Sequence, residues 1–211
     1  MAVHPEPASP ASTPTTPTPS VAYVSFQGHI NLGSTASLLA VLAHLESQGV
    51  PRVILALTTR GGDIEAGMNL YEKLRTFSFQ LVTHAVATVQ SMGIAVYLAG
   101  DERRTGPQAT FMLHPAAHVC QAGEQLPVSS LRQIITNLEA SDARERSILE
   151  DRTSMKPERA QALVEATTIL NAEEAVNDGI AHEIRMLEVD PPDALVLPLG
   201  PYPYPGEIPS A

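Results

Sequence analysis

The chain has 211 residues, enough for one domain with a proper core, and a formal net charge of −10. That acidity, with few aromatic residues, speaks against a nucleic-acid face and against an anionic membrane surface as partner. The single cysteine, Cys120, excludes an internal disulfide, gives no sign of an oxidising compartment and is read as inert packing. The N-terminus has neither a basic cluster nor an apolar run, so no secretory signal is expected and a cytoplasmic setting is.

In chain order, residues 1–20 are almost entirely Pro, Thr, Ser and Ala and read as a disordered tail. Val21–Phe26 reads as a strand. Thr35–Gln48 has Leu38, Leu39, Leu42 and Leu45 at helical spacing, closed by Gly49-Val-Pro51. Val53–Thr59 is a buried strand. Ile64–Thr76 is a helix with Ile64, Met68, Tyr71 and Leu74 on one side. The apolar stretch Leu81 to Gly100 contains His84, Gln90 and Ser91, a polar load that no membrane-spanning helix would carry. It divides into a strand, Gln80–Val86, and a buried helix, Ser91–Ala99. Thr110–His114 is a further short strand. This βαβα rhythm predicts an α/β domain with largely parallel strands over residues 21–188.

The second half reads as helical. Val128–Asp151 is one amphipathic segment with Leu131, Ile134, Ile135, Leu138, Ile148 and Leu149 as its apolar positions. Its middle, Glu139 to Ser147, is polar on nearly every side. A helix of this length spans roughly 36 Å, which predicts that it projects from the domain toward a partner subunit; the alternative is a surface helix packed on its own domain. Asn171 to Gly179 is a short helix with Asn171 as N-cap, Glu174 at the capping-box position and Gly179 as terminator. Residues 189–211 form a second Pro-rich tail, including Tyr202-Pro-Tyr-Pro205.

Serine is a poor nucleophile until a base takes its proton and donors stabilise the oxyanion. Ser91 opens a helix at the end of a parallel strand, where its side chain faces the sheet edge. The N–H of Met92 is free at that helix start. Gly93 lets the helix pack closely. Gly61-Gly62 follows a strand and, lacking Cβ atoms, lets the backbone approach a substrate. His114 ends a strand and is followed by Pro115, which favours an extended exit. Ser91-Met-Gly93 is not the Gly-x-Ser-x-Gly elbow, because Val89 holds the first glycine position. The alternatives are a capping serine, an ordinary turn at Gly61-Gly62 and a structural histidine. A metal pair of His114 and His118 is opposed by Pro115 between them, so neither metal nor cofactor is expected.

The order and context of these residues resemble the proteolytic subunit of the Clp protease, ClpP, and its short relatives. The matching stretches are Thr59-Arg-Gly-Gly-Asp-Ile-Glu-Ala-Gly-Met68, Val89-Gln-Ser-Met-Gly93, Ala99-Gly-Asp-Glu-Arg103, Phe111-Met-Leu-His114 and Leu170-Asn-Ala-Glu-Glu-Ala-Val-Asn-Asp-Gly-Ile180. The resemblance implies a ClpP/crotonase-type spiral of repeated β-α units, with Val128–Asp151 as the handle helix through which rings stack. It implies a serine endopeptidase acting on unfolded proteins or peptides inside an oligomeric chamber, with Ser91 as nucleophile and His114 as base. The N–H groups of Gly62 and Met92 would form the oxyanion hole.

Three positions depart from that pattern. The acidic member of the site falls on Thr167, which carries no charge but has a hydroxyl to accept a hydrogen bond. Glu165 is the nearest carboxylate, and in a continuous helix it would point about 160° away from Thr167. Asn171 is a further candidate, already used as a cap. The segment that meets the AAA+ ATPase in the family is replaced here by the Pro/Thr tail, and Arg60 stands where a proline usually precedes the twin glycine. Two rival readings follow. One is a catalytically silent ring subunit paired with an active paralogue. The other is a crotonase-type acyl-CoA enzyme, which would not need Ser91 and His114.

Overall fold

A computed structural model describes residues 19–120, 122–189 and 195–202. The expected disorder of the N-terminal tail concerns residues outside that range, apart from Pro19 and Ser20. In chain order the elements are β1 (Ala22–Gly28), α1 (Leu32–Ser47), β2 (Arg52–Thr59), α2 (Ile64–Leu74), β3 (Gln80–Gln90), α3 (Met92–Leu98), β4 (Glu102–Thr105) and β5 (Thr110–Leu113). Then come α4 (Val128–Arg152), α5 (Pro157–Glu165), β6 (Thr168–Leu170), α6 (Ala172–Asn177), β7 (Glu183–Ile184) and β8 (Leu195–Tyr202).

The strands form one sheet in the order β6-β5-β3-β2-β1-β8, with β4 pairing β3 and β7 off that path. Every pairing is parallel except β5 with β6. β2 is buried along nearly its whole length, as expected of a parallel strand covered on both faces. The leucines Leu38, Leu42 and Leu45 of α1 and Leu70 and Leu74 of α2 pack in the same core as Val53, Leu55 and Leu57. Every residue of α3 is buried, so this short helix runs through the centre of the domain rather than along its surface.

β3 positions the site. It runs past Val86, the end predicted from its pattern, to Gln90. One edge pairs with β2; on the other, Val82–Ala85 pairs with β4 and Thr88–Gln90 with β5. The apolar pattern lapses at Val86 and Ala87, which are exposed, because the strand changes partner there. That change depends on chain more than twenty residues away in sequence and leaves no local signal.

Other elements also come from outside the local pattern. Part of the segment read as a C-terminal tail, Leu195–Tyr202, is instead an edge strand against β1, with Pro198 opposite Ser25. An edge strand tolerates proline because its outer side needs no ladder donor. The prediction that Val128–Asp151 is a single helix agrees with α4, of 25 residues. α4 packs on α3 and α5 and buries only Ser141, Ile148 and Leu149. Val128, Leu131 and Ile135 near its start are exposed. Among the described residues, no helix is long and apolar enough to cross a membrane.

Two arginines lock the far end of this core. Buried Arg103 donates from Nε to the carbonyl of Ile180 (2.7 Å) and from its terminal nitrogens to the carbonyls of Gly100, Arg152 and Gly179. Arg152 in turn donates to the carbonyls of Leu98 and Gly100. The ends of α3, α4 and α6 thus meet on one pair of guanidinium groups, whose flat forks satisfy carbonyls that a helix end leaves unpaired.

Candidate active site

Ser91 sits in the single-residue turn between β3 and α3, with φ 52° and ψ −131°, the only non-glycine positive φ among the described residues. Such a conformation costs on the order of 1–3 kcal/mol and persists only where the surroundings impose it. Here they do. The Ser91 N–H donates to the carbonyl of Met112 on β5 (2.8 Å), and the Ser91 carbonyl accepts from Ile94 N–H (2.8 Å). The side chain makes no capping hydrogen bond, which removes the plain reading of Ser91 as a helix cap. It is held by its backbone, and its hydroxyl makes no hydrogen bond among the described residues.

Close packing around the turn is bought with glycine. A Cβ on Gly61 (φ 89°) would lie 2.8 Å from the Ser91 Cβ, and one on Gly93 would lie 2.5 Å from Thr59 Cγ2. The 61–62 turn is fixed to the chain after β1, with Ile30 N–H donating to the Gly61 carbonyl and Asp63 N–H to the Ile30 carbonyl. Among the described residues, no acceptor is found for the N–H of Gly62 or of Met92. The Met92 donor is adjacent to Ser91 in the chain, and the Gly62 donor follows Gly61, which packs on Ser91.

His114 follows β5 directly. Its Nδ1 lies 2.8 Å from the carbonyl oxygen of Pro115. A carbonyl can only accept, so this contact requires the proton on Nδ1 and leaves the Nε2 lone pair open. The antiparallel register of β5 and β6 ends at the pair Leu113–Thr168, so His114 leaves β5 and Thr167 enters β6 at the same end of that pairing. Thr167 is exposed and makes no hydrogen bond to the imidazole among the described residues. The backbone of Pro115, not Thr167, holds the ring.

α5 ends at Glu165 and the chain is extended at Ala166. Glu165 and Thr167 therefore do not share a helix, and the angular argument that separated them does not apply. Asn171 is used as expected: its side chain accepts from Glu174 N–H (2.9 Å) while Glu174 accepts from Asn171 N–H (2.8 Å). Arg60 is exposed. Cys120, expected to be packed inside, is instead exposed in the loop between β5 and α4, a segment whose side chains have no core to enter. His118, Cys120 and Glu124 bring potential ligand atoms within 4.8 Å of one another; all three are exposed, and His114 is not among them.

One cleft brings Ser91, Met92 and His114 together, walled by Ile64 and Met68 of α2 and by Ser141 and Glu145 of α4. Its cavity is about 20 Å³, room for about one water. Glu145 is the residue that sequence reasoning missed. Its Oε1 is buried with no hydrogen-bond partner among the described residues, although the side chain as a whole keeps some solvent contact. Burial, and secondarily the nearby Asp142 carboxylate, push its pKa up to about 8. Nothing in the polar run Glu139 to Ser147 marks this one carboxylate as inward. A larger concavity of about 400 Å³ lies toward the start of β3, around Tyr23, His84, Arg104 and Arg185. Desolvation and the two arginines hold the His84 pKa down to about 4. No candidate nucleophile or base from the sequence lines it, so size does not locate the chemistry.

The sequence model of the Clp protease family matches residues 20–187. Among curated proteins, the ATP-dependent Clp protease proteolytic subunit 2 of Pseudomonas aeruginosa is 28% identical over 142 residues, covering 64% of this chain and 67% of that protein. Among solved structures, a ClpP1 point mutant from Listeria monocytogenes superposes with a TM-score of 0.70 at 21% identity, over 78% of this chain and 91% of that one. That last likeness is one of fold: a mixed α/β spiral of the ClpP type. The family match runs without a break from the start of β1 past β7, through every element that builds the cleft, and the chain belongs to the Clp protease family.

Proposed function

We propose that the protein is a serine endopeptidase that cleaves peptides or unfolded polypeptides through an acyl-enzyme on Ser91, within a chamber made by copies of itself. The observation that carries this reading is the strained, uncapped Ser91 beside two unpaired N–H groups and an imidazole whose free nitrogen is Nε2. In the first step Ser91 Oγ attacks the substrate carbonyl carbon and its proton passes to His114 Nε2. The oxyanion is met by the N–H groups of Gly62 and Met92. The C–N bond then breaks, and the amine leaves with the proton from His114. Water repeats the sequence on the acyl-enzyme, releasing the carboxylic acid and restoring Ser91.

The exposed apolar side chains at the start of α4, Val128, Leu131 and Ile135, support stacking against a second copy of the chain. An AAA+ ATPase as feeder, ATP dependence and a cytoplasmic setting belong to the same reading. The test is labelling of the purified protein with a fluorophosphonate probe, with the adduct located by mass spectrometry. We expect labelling at Ser91, lost in His114→Ala. A well-folded oligomer that takes no label would sink the peptidase and leave the catalytically silent ring subunit.

Thr167 sets the expected rate. With only the Pro115 carbonyl on Nδ1, the imidazolium formed during attack meets a dipole rather than a charge. Loss of the acid in a Ser-His-Asp site costs ~10⁴-fold in kcat. Because Thr167 enters β6 at the end of the pairing where His114 leaves β5, Thr167→Asp is expected to raise kcat/KM for a peptide at least ~10-fold. Unchanged kinetics would mean that the Pro115 carbonyl already supplies all the orientation the ring needs.

A further inference from the structure

We propose that Glu145 makes the cleft beside Ser91 a receptor for a cationic substrate side chain, a lysine or arginine adjacent to the bond to be cleaved. The inference rests on Ser91 being the nucleophile, since that is what turns a neighbouring cavity into a specificity pocket.

The cleft has two chemistries along its depth. Ile64, Met68 and Met92 give apolar walls, and Glu145, one turn beyond Ser141 on α4, supplies a carboxylate. Lysine and arginine have the matching order, an apolar stem followed by a charged donor head. The carboxylate is also unspent. Its Oε1 is a buried acceptor with no partner among the described residues, a state that costs free energy until a donor arrives.

The neighbouring charges leave it so. Arg144, the adjacent cation on α4, is turned to Glu65, with Nη2 at 2.6 Å from Oε1 and Nη1 at 3.4 Å from Oε2. Arg146 lies 3.8 Å from Glu150. The nearby Asp142 carboxylate adds negative potential at Glu145, and its own Oδ1 accepts from Ala116 N–H at 2.7 Å. A carboxyl held near pKa 8 carries a proton at neutral pH, and an incoming cation favours its release.

The competing side chains fit less well. A leucine or phenylalanine would cover Oε1 without pairing it, and a glutamate would add a third carboxylate to Glu145 and Asp142. The cavity of about 20 Å³ is narrow. Met68 and Met92, unbranched and flexible, are the walls that would yield to a slender stem.

The test uses the full-length protein and fluorogenic peptides that differ only in the residue before the scissile bond: Lys, Arg, Leu or Glu. In the wild type, kcat/KM for the Lys or Arg peptide should exceed that for Leu by about tenfold, with Glu poorest. The near-isosteric Glu145→Gln removes the charge with little change of shape and should cut the Lys-to-Leu ratio at least about tenfold; Glu145→Leu should reverse it. A wild type that prefers Leu, or a ratio that neither variant moves, overturns the proposal. A second measurement needs no turnover: binding of the Lys peptide to Ser91→Ala, followed by fluorescence anisotropy, should weaken about tenfold when Glu145→Gln is added, and equal binding overturns the proposal. Absence of both hydrolysis and a fluorophosphonate adduct would instead reject Ser91 as nucleophile, and the anisotropy result would still decide the role of Glu145.

Discussion

Ser91→Ala and Ser91→Gly should each lower peptide hydrolysis by ~10⁴-fold or more, while only the glycine variant gains stability. The loss of activity follows from removing the attacking oxygen, since the remaining donors and base give only a residual rate. The stability split follows from the backbone. Alanine inherits the φ of 52° and gains nothing. Glycine occupies that region without a Cβ clash, so Ser91→Gly should stabilise the fold by about 1 kcal/mol, less what it adds to the freedom of the unfolded chain. Hydrolysis of a fluorogenic peptide and urea unfolding of both variants measure the two effects. Equal stability of the two would mean that the turn holds no strain. Activity retained in Ser91→Ala would remove Ser91 from the chemistry.

The largest structural loss is expected from Arg103→Met. Methionine fills much of the same volume but leaves the carbonyls of Gly100, Arg152, Gly179 and Ile180 without the donors they now share. Hydrogen bonds to a charged group contribute about 1.5–3 kcal/mol each, and a buried acceptor left alone costs about 1–3. The losses overlap, and Arg152 still reaches Gly100, so we expect a net cost of ~3–5 kcal/mol. For a domain of this size that lowers Tm by roughly 10 °C. Burial and the charge of Arg152 push the pKa of Arg103 down from its ordinary value. Arg103→Lys should recover only part of the loss, because one ammonium on a flexible stem cannot reach carbonyls from three helix ends. Calorimetry of both variants decides the matter. A Tm for Arg103→Met within about one degree of wild type would show that the clamp is redundant.

Much of the cleft was legible in the sequence. Ser91, Met92, Gly62 and His114 sit at element boundaries, and boundaries are what hydrophobic periodicity and glycine positions reveal. The structure puts Ser91, Met92 and His114 on one cleft, and Gly62 follows Gly61, whose backbone packs against Ser91. Counting back from Leu170 puts the family's acidic position on Thr167, just outside the β5–β6 pairing that ends at Leu113 and Thr168.

The pieces that were not legible share a different cause. Arg103 looked like one charged residue in a family stretch, yet it closes three helices. β8 looked like a proline-rich tail and pairs as an edge strand. Glu145 looked like one charge in a polar run, and Cys120, expected inside, lies on the surface. For Arg103, β8 and Glu145 the deciding contact joins segments far apart in the chain, so no local window contains it; Cys120 is exposed because its loop meets no core.

For the candidate active site the division is the same. The amino-acid sequence by itself determined the α/β rhythm, the family and the residue types at the site, including the absence of an acid at Thr167. These are properties of single residues and short periods. Only the tertiary structure decided that Ser91 is strained and uncapped, that the Pro115 carbonyl accepts a hydrogen bond from His114 Nδ1, and that a buried carboxylate shares the cleft. Strain, tautomer and desolvation are imposed by packing, and packing exists only once the sheet has brought β3, β5 and α4 together.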